Sequence, residues 1–375
     1  MVYTQTFSVL KNSFYLSLVF MISVFSTKTI SGNPYDAMDT TFISIFSYFS
    51  SQEAIYYTEA PEDFQEIGAI KKIVLKRKNK ILRLLEKIFL MRKLKPDYIF
   101  GKGSLIDLPF FLIKPKKARY IINYHSILIK KSTPLWPVRT PWFLRKFLFQ
   151  KADIIVAISE WVRKTILDYF PEKKVELIYS GVDLDFFISQ KKDWNYLSKK
   201  FDIHFDKPLV IFIGSLNLRK RPDVFIKIAA NYPKANFLMI GKGDAGFLKY
   251  TENSKNFQYI DKMNREDIAK LFASADVLLF PSLQEPYGLV VVEAMASGLP
   301  VVVSASGAFP ELVNDGKDGF LVPVDNEEID NFTRVLDQIL FDKNLWQKMS
   351  KNAVQNVKRF SWENTAKGYK KILLN

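Results

Sequence analysis

The stretch "ADVLLFPSLQEPYGLVVVEAMASGLPVVVS", residues 275–304, predicts one unit of a parallel β-sheet. Its first apolar run, ADVLLFPS (275–282), is bounded by polar residues and favours a buried strand. The segment QEPYG predicts a loop, and an apolar helical pattern runs from Leu289 until a glycine and a proline stop it. The run VVVSAS (301–306) predicts a second buried strand. Strand, loop, helix and strand in this order indicate a βαβ unit.

Two glutamates stand at informative positions in this unit. Glu285 falls at the carboxyl end of the first strand, and Glu293 lies on the helix. Ligands of open α/β sheets collect at carboxyl strand ends, and the helix N-terminus at Gly288, Leu289 and Val290 favours an anion such as phosphate. Sugar hydroxyls would suit buried carboxylates, which are costly without a partner. The alternative makes Glu285 an N-terminal helix charge and Glu293 a solvated residue.

The composition predicts a soluble globular protein of two domains. The chain has 375 residues, 48% of them hydrophobic, and its mean hydropathy is −0.03. This length exceeds that of one ordinary core. The absence of cysteine excludes a disulfide framework and a thiolate metal site. The two histidines, His125 and His204, are too few for a multi-histidine metal site.

Positive charge is concentrated in the first half of the chain. The net charge of the whole sequence is +15. Residues 1–200 hold 32 Lys/Arg and 18 Asp/Glu, a net +14, whereas residues 201–375 hold 22 and 21, a net +1. This imbalance predicts that the first half meets an anionic partner: a phospholipid surface, a phosphorylated acceptor or nucleic acid.

Two segments of the first half have an open interpretation. Residues 71–95 contain eleven Lys/Arg and one Glu, and their apolar residues recur at roughly helical intervals. This pattern predicts a basic amphipathic helix, which fits either an anionic membrane surface or a core-packing helix with a solvated basic face. The apolar run at residues 13–26 is short for a membrane span, so we expect a buried first helix or strand, with a membrane or targeting segment as the alternative.

Strand and helix patterns alternate along most of the remaining chain and predict two doubly wound α/β domains that face a central cleft. The expected boundaries are an N-terminal domain at residues 1–190, a polar linker at 191–207 and a C-terminal domain at 208–360. A helix at 361–375 is expected to pack back on the first domain. The sequence predicts strands at 96–103, 118–126, 152–159, 174–183, 208–215, 236–241, 256–260, 275–280, 299–304 and 319–323.

A cationic cluster follows the first strand of the second domain in the sequence GSLNLRKRPD. Gly214 permits a tight turn, and Arg219, Lys220 and Arg221 precede a proline that suits a first helical turn. Three cations at the carboxyl end of a strand fit a diphosphate. The sequence IGKGD (240–244) is similar to a Gly-rich phosphate turn, with a plain strand-to-loop turn as the alternative.

Six stretches, taken together, carry a family resemblance. GSLNLRKRPD, IGKGD, FASADVLLFPSLQEPYGLVVVEAMASGLPVV and SGAFPELVNDGKDGFLVP resemble the nucleotide-sugar domain of the large retaining glycosyltransferase family of the GT-B fold, glycosyltransferase family 4. ADIIVAISEWVRKTI and ELIYSGVDLDFF are similar to the end of its N-terminal domain. The resemblance runs in family order over residues 95–365 and implies a GT-B fold with two Rossmann-like domains.

The resemblance also implies roles for single residues. Glu293 matches the second glutamate of the family's Glu-x7-Glu motif, which holds the ribose hydroxyls, and Glu285 matches the first, which faces the donor sugar. Lys220, with Arg219 beside it, matches the phosphate clamp, and His125 matches a histidine near the transferred sugar. The implied catalytic residues are His125, Lys220, Arg219 and Glu285. The implied donor-binding residues are Gly214, Ser215, Arg219, Lys220, Gly241, Glu285, Tyr287, Gly288, Leu289, Val290 and Glu293.

The sequence departs from the family pattern at two places. Ser215 stands where the family usually has an arginine, and Arg219 is expected to compensate. The Gly-Gly loop that normally follows the family's first strand is not found in residues 1–17. His204 lies in the predicted linker and is expected to have no role in the site.

The resulting prediction is a retaining glycosyltransferase that moves a sugar from a UDP- or GDP-type donor to a hydroxyl of a lipid-linked or polysaccharide acceptor. No cofactor or metal is expected, because Lys220, Arg219 and a helix N-terminus supply positive charge for the leaving diphosphate. The expected absence of an Asp-x-Asp cluster from either predicted crevice is consistent with a metal-independent step.

The basic first half predicts a cytoplasmic enzyme that is peripheral to the inner face of a membrane and has no nucleic-acid partner. Two alternatives remain. A nucleotide-sugar epimerase of the same fold needs acid and base residues that the motifs do not supply. A basic nucleic-acid-binding protein fits the charge but not the two glutamates in the crevice.

Overall fold

The computed structural model of the chain contains two parallel sheets, each flanked by helices. Every pairing within the two sheets is parallel. The structure describes residues 22–25, 54–58, 70–74, 85, 88–89, 92–93, 95–104, 107–130, 133, 140–203, 206–244, 246–247 and 255–374.

The first sheet has seven strands: β1 (Ile22–Phe25), β2 (Ala54–Thr58), β3 (Ile70–Val74), β4 (Tyr98–Gly101), β5 (Arg119–Tyr124), β6 (Ile154–Ala157) and β7 (Val175–Leu177). Their order is β3-β2-β1-β4-β5-β6-β7. The chain therefore reverses its direction of travel across the sheet between β1 and β4, which defines a doubly wound sheet. Its helices are α1 (Leu108–Ile113), α2 (Trp142–Lys151), α3 (Glu160–Leu167) and α4 (Leu184–Ile188).

The second sheet has six strands: β8 (Leu209–Ile213), β9 (Asn236–Ile240), β10 (Phe257–Ile260), β11 (Val277–Phe280), β12 (Val301–Ser304) and β13 (Gly319–Val322). Their order, β10-β9-β8-β11-β12-β13, reverses between β8 and β11. The remaining helices are α5 (Trp194–Phe201), α6 (Pro222–Asn231), α7 (Arg265–Ser274), α8 (Leu289–Ala296), α9 (Phe309–Leu312), α10 (Glu328–Leu340), α11 (Lys343–Val357) and α12 (Trp362–Leu374).

The central strands are buried on both faces. All residues of β6, β11 and β12 are buried, and their sequences IIVA, VLLF and VVVS are almost wholly apolar. Parallel sheets have this composition because helices cover both faces. The ten strands that the sequence predicts from residue 96 onward are all present, as β4 to β13, and the predicted architecture of two doubly wound domains is confirmed.

The last helix, α12, returns from the second sheet to the first. The hydroxyl of Tyr98 on β4 donates a 2.8 Å hydrogen bond to the carbonyl of Leu373, and the hydroxyl of Thr365 donates at 2.8 Å to the carbonyl of Tyr179. The ring of Tyr369 lies 6.1 Å from that of Phe100. The C-terminal helix therefore ties the two sheets together.

The segment predicted as a linker contains a helix rather than a simple connection. Helix α5 begins at Asp193, whose carboxylate accepts from the backbone N–H of Tyr196. Leu197 is fully buried against the second domain, and Lys200 pairs with Asp267 of α7 at 2.8 Å. The segment looked polar because only one of the helix's residues is fully buried.

The prediction of one helix over residues 71–95 is wrong at its start, because Ile70–Val74 forms β3 and pairs with β2. The described residues at 85, 88–89 and 92–93 are helical. Within the predicted segment 13–26, β1 is a central strand at Ile22–Phe25. Residues 1–21 and His204 lie outside the described residues.

Candidate active site

A cleft of about 380 Å³ lies between the two sheets, at the carboxyl ends of their strands. Such a position is the usual ligand site of doubly wound sheets, because the reversal of strand order opens a crevice there. Both domains contribute to its wall. The lining residues are His125, Ile158, Ser180, Ile213, Gly214, Ser215, Arg219, Lys220, Glu285, Pro286, Tyr287, Gly288, Leu289 and Val290.

One carboxylate oxygen organises the floor of the cleft. Oε2 of Glu285 accepts hydrogen bonds from Nη1 of Arg219 at 2.5 Å, from Nζ of Lys220 at 2.6 Å and from the hydroxyl of Ser282 at 3.0 Å. The three charged side chains are between 10% and 19% exposed. The carboxylate therefore holds two cations side by side at the carboxyl ends of β8 and β11.

The charges of this cluster stabilise one another. Burial acts to raise the pKa of the Glu285 carboxyl, but the charges of Lys220 and Arg219 outweigh it and hold the pKa below its usual value. Burial also lowers the pKa of the Lys220 ammonium, with the charge of Arg219 acting in the same direction and Glu285 opposing it. An entering anion would meet two cations that are already desolvated and fixed in place.

Tight backbone packing positions Glu285. Its carbonyl accepts from the N–H of Ala308 at 2.9 Å, and the preceding residue, Gln284, is left-handed with φ 49°. Gly307 is also left-handed, and a Cβ on it would lie 2.4 Å from the Glu285 nitrogen. The loop after β12 can approach the Glu285 loop this closely only because residue 307 is glycine.

The N-terminus of α8 opens into the cleft. Gly288 is its N-cap in the left-handed region, and its carbonyl accepts from the N–H of Val291 at 2.9 Å. A Cβ on Gly288 would lie 2.7 Å from the ring of Phe309. Leu289 and Val290 line the cleft from the first helical turn, where N–H groups lack intrahelical partners and favour an anion.

The first domain closes the other side of the cleft. His125 follows β5 directly, and its Nε2 is buried without a hydrogen-bond partner among the described residues. Burial, reinforced by the charge of Lys102, lowers the pKa of His125 to about 3, so the imidazole is neutral at physiological pH. The hydroxyl of Ser159 donates to the carbonyl of Pro286 at 2.7 Å, and that of Tyr287 donates to the carbonyl of Ser180 at 2.6 Å.

Two residues of the predicted donor set lie outside the cleft wall. Glu293 sits one turn further along α8 than Leu289 and is half-buried, and burial raises the pKa of its carboxyl to about 7, with Arg265 opposing the rise and Asp183 adding to it. Gly241 packs against the second domain's first turn: a Cβ on it would lie 1.8 Å from the Gly214 carbonyl oxygen. The glycine at 241 is therefore explained by packing.

The predicted triple cation cluster is wrong in one member. The guanidinium of Arg221 forms a bidentate pair with the carboxylate of Glu328 on α10, away from the cleft. Arg221 is left-handed, with φ 53°, so its side chain diverges from that of Lys220. Among the described residues, Arg219 and Lys220 remain as the cations of the cleft wall.

An Asp-x-Asp pair follows β7 at Asp183 and Asp185, outside the residues that line the cleft. The carboxylate of Asp183 accepts from the N–H of Phe186 at 3.2 Å and caps α4. It also pairs with Arg265 of the second domain at 3.3 Å. Asp185 is exposed in the first turn of the same helix.

Sequence reasoning did not find several residues of the site. Ile158, Ser180, Ile213 and Pro286 line the cleft. Ser282, which donates to Glu285, follows the buried strand β11. A polar residue just after a buried strand was the signal in the sequence that could have identified it. Ile213 and Pro286 adjoin predicted site residues in the chain, whereas Ile158 and Ser180 reach the cleft from the first domain only when the two domains come together.

A larger cavity, of about 530 Å³, lies at the opposite edge of the first sheet, where β5, β6 and β7 begin. Both of its acidic side chains already have partners. Lys174 pairs with Glu176 at 2.8 Å, and Asp153 accepts from the backbone N–H of Tyr120 at 2.6 Å. It therefore lacks the convergent charges that mark the cleft as the candidate active site.

Two family models match the two parts of the chain that form this cleft. A family model of "Glycosyl transferases group 1" matches residues 196–356, and one of "Glycosyltransferase Family 4" matches residues 50–186. Together they cover strands β2 to β13 and most of the helices. The chain belongs to this family of GT-B glycosyltransferases.

Curated relatives of the chain carry related names. It is 26% identical over 287 residues to "Sulfoquinovosyl transferase SQD2" of Arabidopsis thaliana, a match that covers 72% of this chain and 55% of the relative. It is 30% identical over 204 residues to "D-inositol 3-phosphate glycosyltransferase" of Mycobacterium tuberculosis (strain F11), covering 51% and 42%. The chain thus spans about half the length of the curated relatives it matches.

Solved structures of low sequence identity share the fold. "Sucrose-phosphate synthase (tll1590) from Thermosynechococcus elongatus" aligns with a TM-score of 0.77 at 19% identity, covering 94% of this chain and 98% of that one. "Anabaena Alr3699/HepE in complex with UDP-glucose" aligns with a TM-score of 0.75 at 18% identity, covering 94% and 99%. Likeness at these identities supports the GT-B fold of the present chain.

Proposed function

We propose that this glycosyltransferase transfers a sugar, with retention of anomeric configuration, from a nucleoside diphosphate donor to an acceptor hydroxyl. The observation that carries the proposal is the convergence of Arg219 and Lys220 on Glu285 beside the N-terminus of α8. Two fixed cations and free helical N–H groups complement a diphosphate. The neighbour solved with UDP-glucose supports a uridine nucleotide, and a GDP-type donor is the alternative.

In the proposed reaction, the bond between the anomeric carbon and the diphosphate oxygen breaks, and the diphosphate leaves with the electron pair. The acceptor oxygen attacks the same face of the sugar, and its proton passes to the departing phosphate oxygen. Negative charge therefore grows on the diphosphate in the transition state. Lys220, Arg219 and the α8 N-terminus would stabilise this charge, and no metal or other cofactor is required for the step.

The two carboxylates of the predicted motif take different parts in the proposal. Glu285 receives all three of its hydrogen bonds on Oε2, so Oε1 would accept a hydroxyl of the donor sugar. Glu293, one turn further along α8 than Leu289, would accept the two ribose hydroxyls. Neutral His125, with its unpartnered Nε2 in the wall, would hydrogen-bond the transferred sugar.

We also propose that the acceptor is lipid-linked or part of a glycan and that the enzyme acts at the inner face of a membrane. The support is the net charge of +14 on residues 1–200, which the nearly neutral second half does not share although it would bind the anionic donor. No helix of the described residues is long and apolar enough to cross a bilayer.

Donor binding and product stereochemistry test the transfer proposal. Calorimetry should show binding of UDP or GDP, and proton NMR of the first product should show the donor's anomeric configuration. His125→Ala should lower the transfer rate and leave nucleotide affinity within about twofold, since the nucleotide contacts lie in the second domain. A product of inverted configuration, or full transfer activity in His125→Ala, would contradict the mechanism or the role of His125 respectively.

A further inference from the structure

The first domain presents two adjacent helices on one face of its sheet. The ring of Phe111 on α1 lies 5.5 Å from that of Tyr120 on β5 and 5.4 Å from that of Phe147 on α2. The ring of Phe149 on α2 lies 5.1 Å from that of Tyr124. Tyr120 and Tyr124 are four residues apart on one strand and point to the same side. Helices α1 and α2 therefore pack next to each other on the face of the sheet to which these tyrosines point.

The helical residues at 85, 88–89 and 92–93 belong to the same layer. They connect β3 to β4 and thus travel across the sheet in the same direction as the connection from β4 to β5 through α1. Crossovers between parallel strands are right-handed, which puts connections of one direction on one face. The part of the basic segment 71–95 that is helical thus lies on the same face of the sheet as α1 and α2.

Large apolar side chains point outward from this layer. Phe89 is 65% exposed, Leu112 on α1 is 65% exposed and Phe143 on α2 is 69% exposed. Single exposed apolar residues are normal on a soluble protein, but phenylalanine has no polar group to favour exposure. Three large apolar side chains on neighbouring helices of one layer indicate a surface with a partner.

The same surface carries positive charge without compensating acid. Residues 108–152 contain ten Lys/Arg and no Asp/Glu. Four exposed lysines flank the apolar side chains, and no described acidic side chain pairs with any of them. We name the exposed set formed by Leu112, Lys116, Lys117, Phe143, Lys146 and Lys151 the α1–α2 surface.

We propose that the α1–α2 surface docks on an anionic lipid bilayer, with Phe143 and Leu112 entering the boundary between headgroups and acyl chains and the four lysines contacting lipid phosphates. This inference rests on the proposed membrane location. It assigns the membrane contact to the α1–α2 surface instead of to residues 71–95. Apolar insertion combined with basic residues is how amphipathic helices bind membranes. A nucleic acid would use the lysines but would leave the two apolar side chains exposed.

The two apolar side chains of the surface lie toward opposite edges of the sheet. A helix that links two parallel strands runs opposite to them, so α2 begins at the carboxyl edge of the sheet, where the cleft opens. Phe143 lies in the first turn of α2. By the same rule Leu112, in the last turn of α1, lies toward the opposite edge, so contact through both side chains lays the two helices along the bilayer with the cleft at one end of the contact.

Vesicle flotation with two sets of variants tests the surface. Wild type should float with vesicles of phosphatidylcholine and phosphatidylglycerol at about 7:3 and sink with phosphatidylcholine alone. Each lysine near an anionic surface changes partitioning by roughly fivefold, so Lys116→Gln, Lys117→Gln, Lys146→Gln and Lys151→Gln together should abolish flotation at about 150 mM salt. Leu112→Ser with Phe143→Ser should lower partitioning by roughly tenfold or more at every salt concentration.

Matched variants on the second domain provide the control. Phe341 is 57% exposed there, and Phe341→Ser should leave flotation unchanged, as should Lys227→Gln, Lys343→Gln, Lys348→Gln and Lys351→Gln together. Calorimetric binding of nucleotide should be the same in all variants, which checks that each is folded and separates this inference from the transfer proposal.

Three outcomes would overturn the inference. Flotation of both α1–α2 variants at the wild-type level would show that another surface binds the membrane. No flotation of wild type would remove the membrane location itself, while nucleotide binding and transfer to a soluble acceptor would still stand. Binding of a duplex or single-stranded oligonucleotide at the same salt concentration, without vesicle flotation, would identify a nucleic-acid surface instead.

Discussion

The carboxylate of Glu311 caps a helix of the opposite domain through Trp161. Oε1 of Glu311 accepts from the backbone N–H of Trp161 at 2.6 Å, and Oε2 accepts from the N–H of Glu160 at 2.7 Å. These are free N–H groups of the first turn of α3, whose N-cap, Ser159, itself bonds to Pro286 of the cleft loop. A carboxylate at a helix N-terminus satisfies orphan donors and the helix dipole together. This contact therefore fixes the first domain against the loops that hold Glu285.

Removing this carboxylate should loosen the closed arrangement of the domains. Glu311→Ala is expected to cost about 1–3 kcal/mol of stability and to lower the transfer rate more than donor affinity. Thermal unfolding and steady-state kinetics measure the two effects, and small-angle scattering should show a larger radius of gyration. Glu363→Ala, which removes only an exposed pair with Lys367, is the control. Unchanged scattering and kinetics in Glu311→Ala would show that the cap has no part in closure.

Adjacent cations should differ in their effect on donor binding. Lys220→Ala removes a cleft cation and should weaken binding of the nucleoside diphosphate by roughly tenfold or more, while binding of the bare nucleoside changes little, because the charge acts on phosphate. Arg221→Ala removes the neighbouring pair with Glu328 and should cost roughly 1–3 kcal/mol of stability without this selective loss. Calorimetry with both ligands distinguishes the two variants. Equal losses for nucleoside and diphosphate in Lys220→Ala would contradict a phosphate role.

Glu293 should make stability and donor binding depend on pH near neutrality. Burial raises the pKa of its carboxyl from 4.5 to about 7, so the folded state favours the neutral form. The stability that Glu293 contributes is therefore complete below about pH 4.5 and is lost as the pH rises through about 7. Glu293→Gln, neutral at every pH, should gain up to about 3 kcal/mol relative to wild type as the pH rises from about 4.5 to above 7.

Donor affinity should change in the opposite sense, since an ionised carboxylate accepts two ribose hydroxyls better. Wild type should bind the nucleotide more tightly as the pH rises through about 7, and Glu293→Gln should lose this dependence. Glu285→Gln is the control for the stability slope, because the pKa of Glu285 is held below its usual value and its charge is constant over this range. A flat difference between Glu293→Gln and wild type across this pH range would refute the assignment.

Two glycines with left-handed backbone allow the energetic cost of close packing to be measured apart from the cost of backbone strain. Gly316 has φ 69° and nothing lies within 4 Å of the place that a Cβ would take, whereas a Cβ on Gly307, at φ 64°, would meet the backbone of Glu285. Gly316→Ala should cost about 1 kcal/mol from strain alone. Gly307→Ala should cost several kcal/mol more or displace the Glu285 loop. Chemical denaturation and nucleotide titration measure both. Equal costs at the two positions would show that the close approach at residue 307 is easily relaxed.

Local patterns in the sequence determined the architecture and much of the donor side. Runs such as VLLF and VVVS predict buried parallel strands because they are short, continuously apolar and bounded by polar or turn residues. The turn that carries Glu285 and the helix N-terminus at Gly288 follow a strand directly, so their place at the carboxyl edge was fixed by chain order alone. The sequence pattern failed at residues 71–74, because two lysines followed by two β-branched residues fit the start of a basic helix and a short strand equally well.

Only the tertiary structure decided which charges meet. Arg219, Lys220 and Arg221 are consecutive in the sequence, yet the first two turn to Glu285 and the third turns to Glu328, more than 100 residues away. The left-handed backbone at Arg221 and the position of α10 select these partners, and neither is encoded in the local pattern. Glu311 likewise contacts Trp161 because the packing of the two domains places α9 next to the N-terminus of α3. These two segments are distant in the sequence.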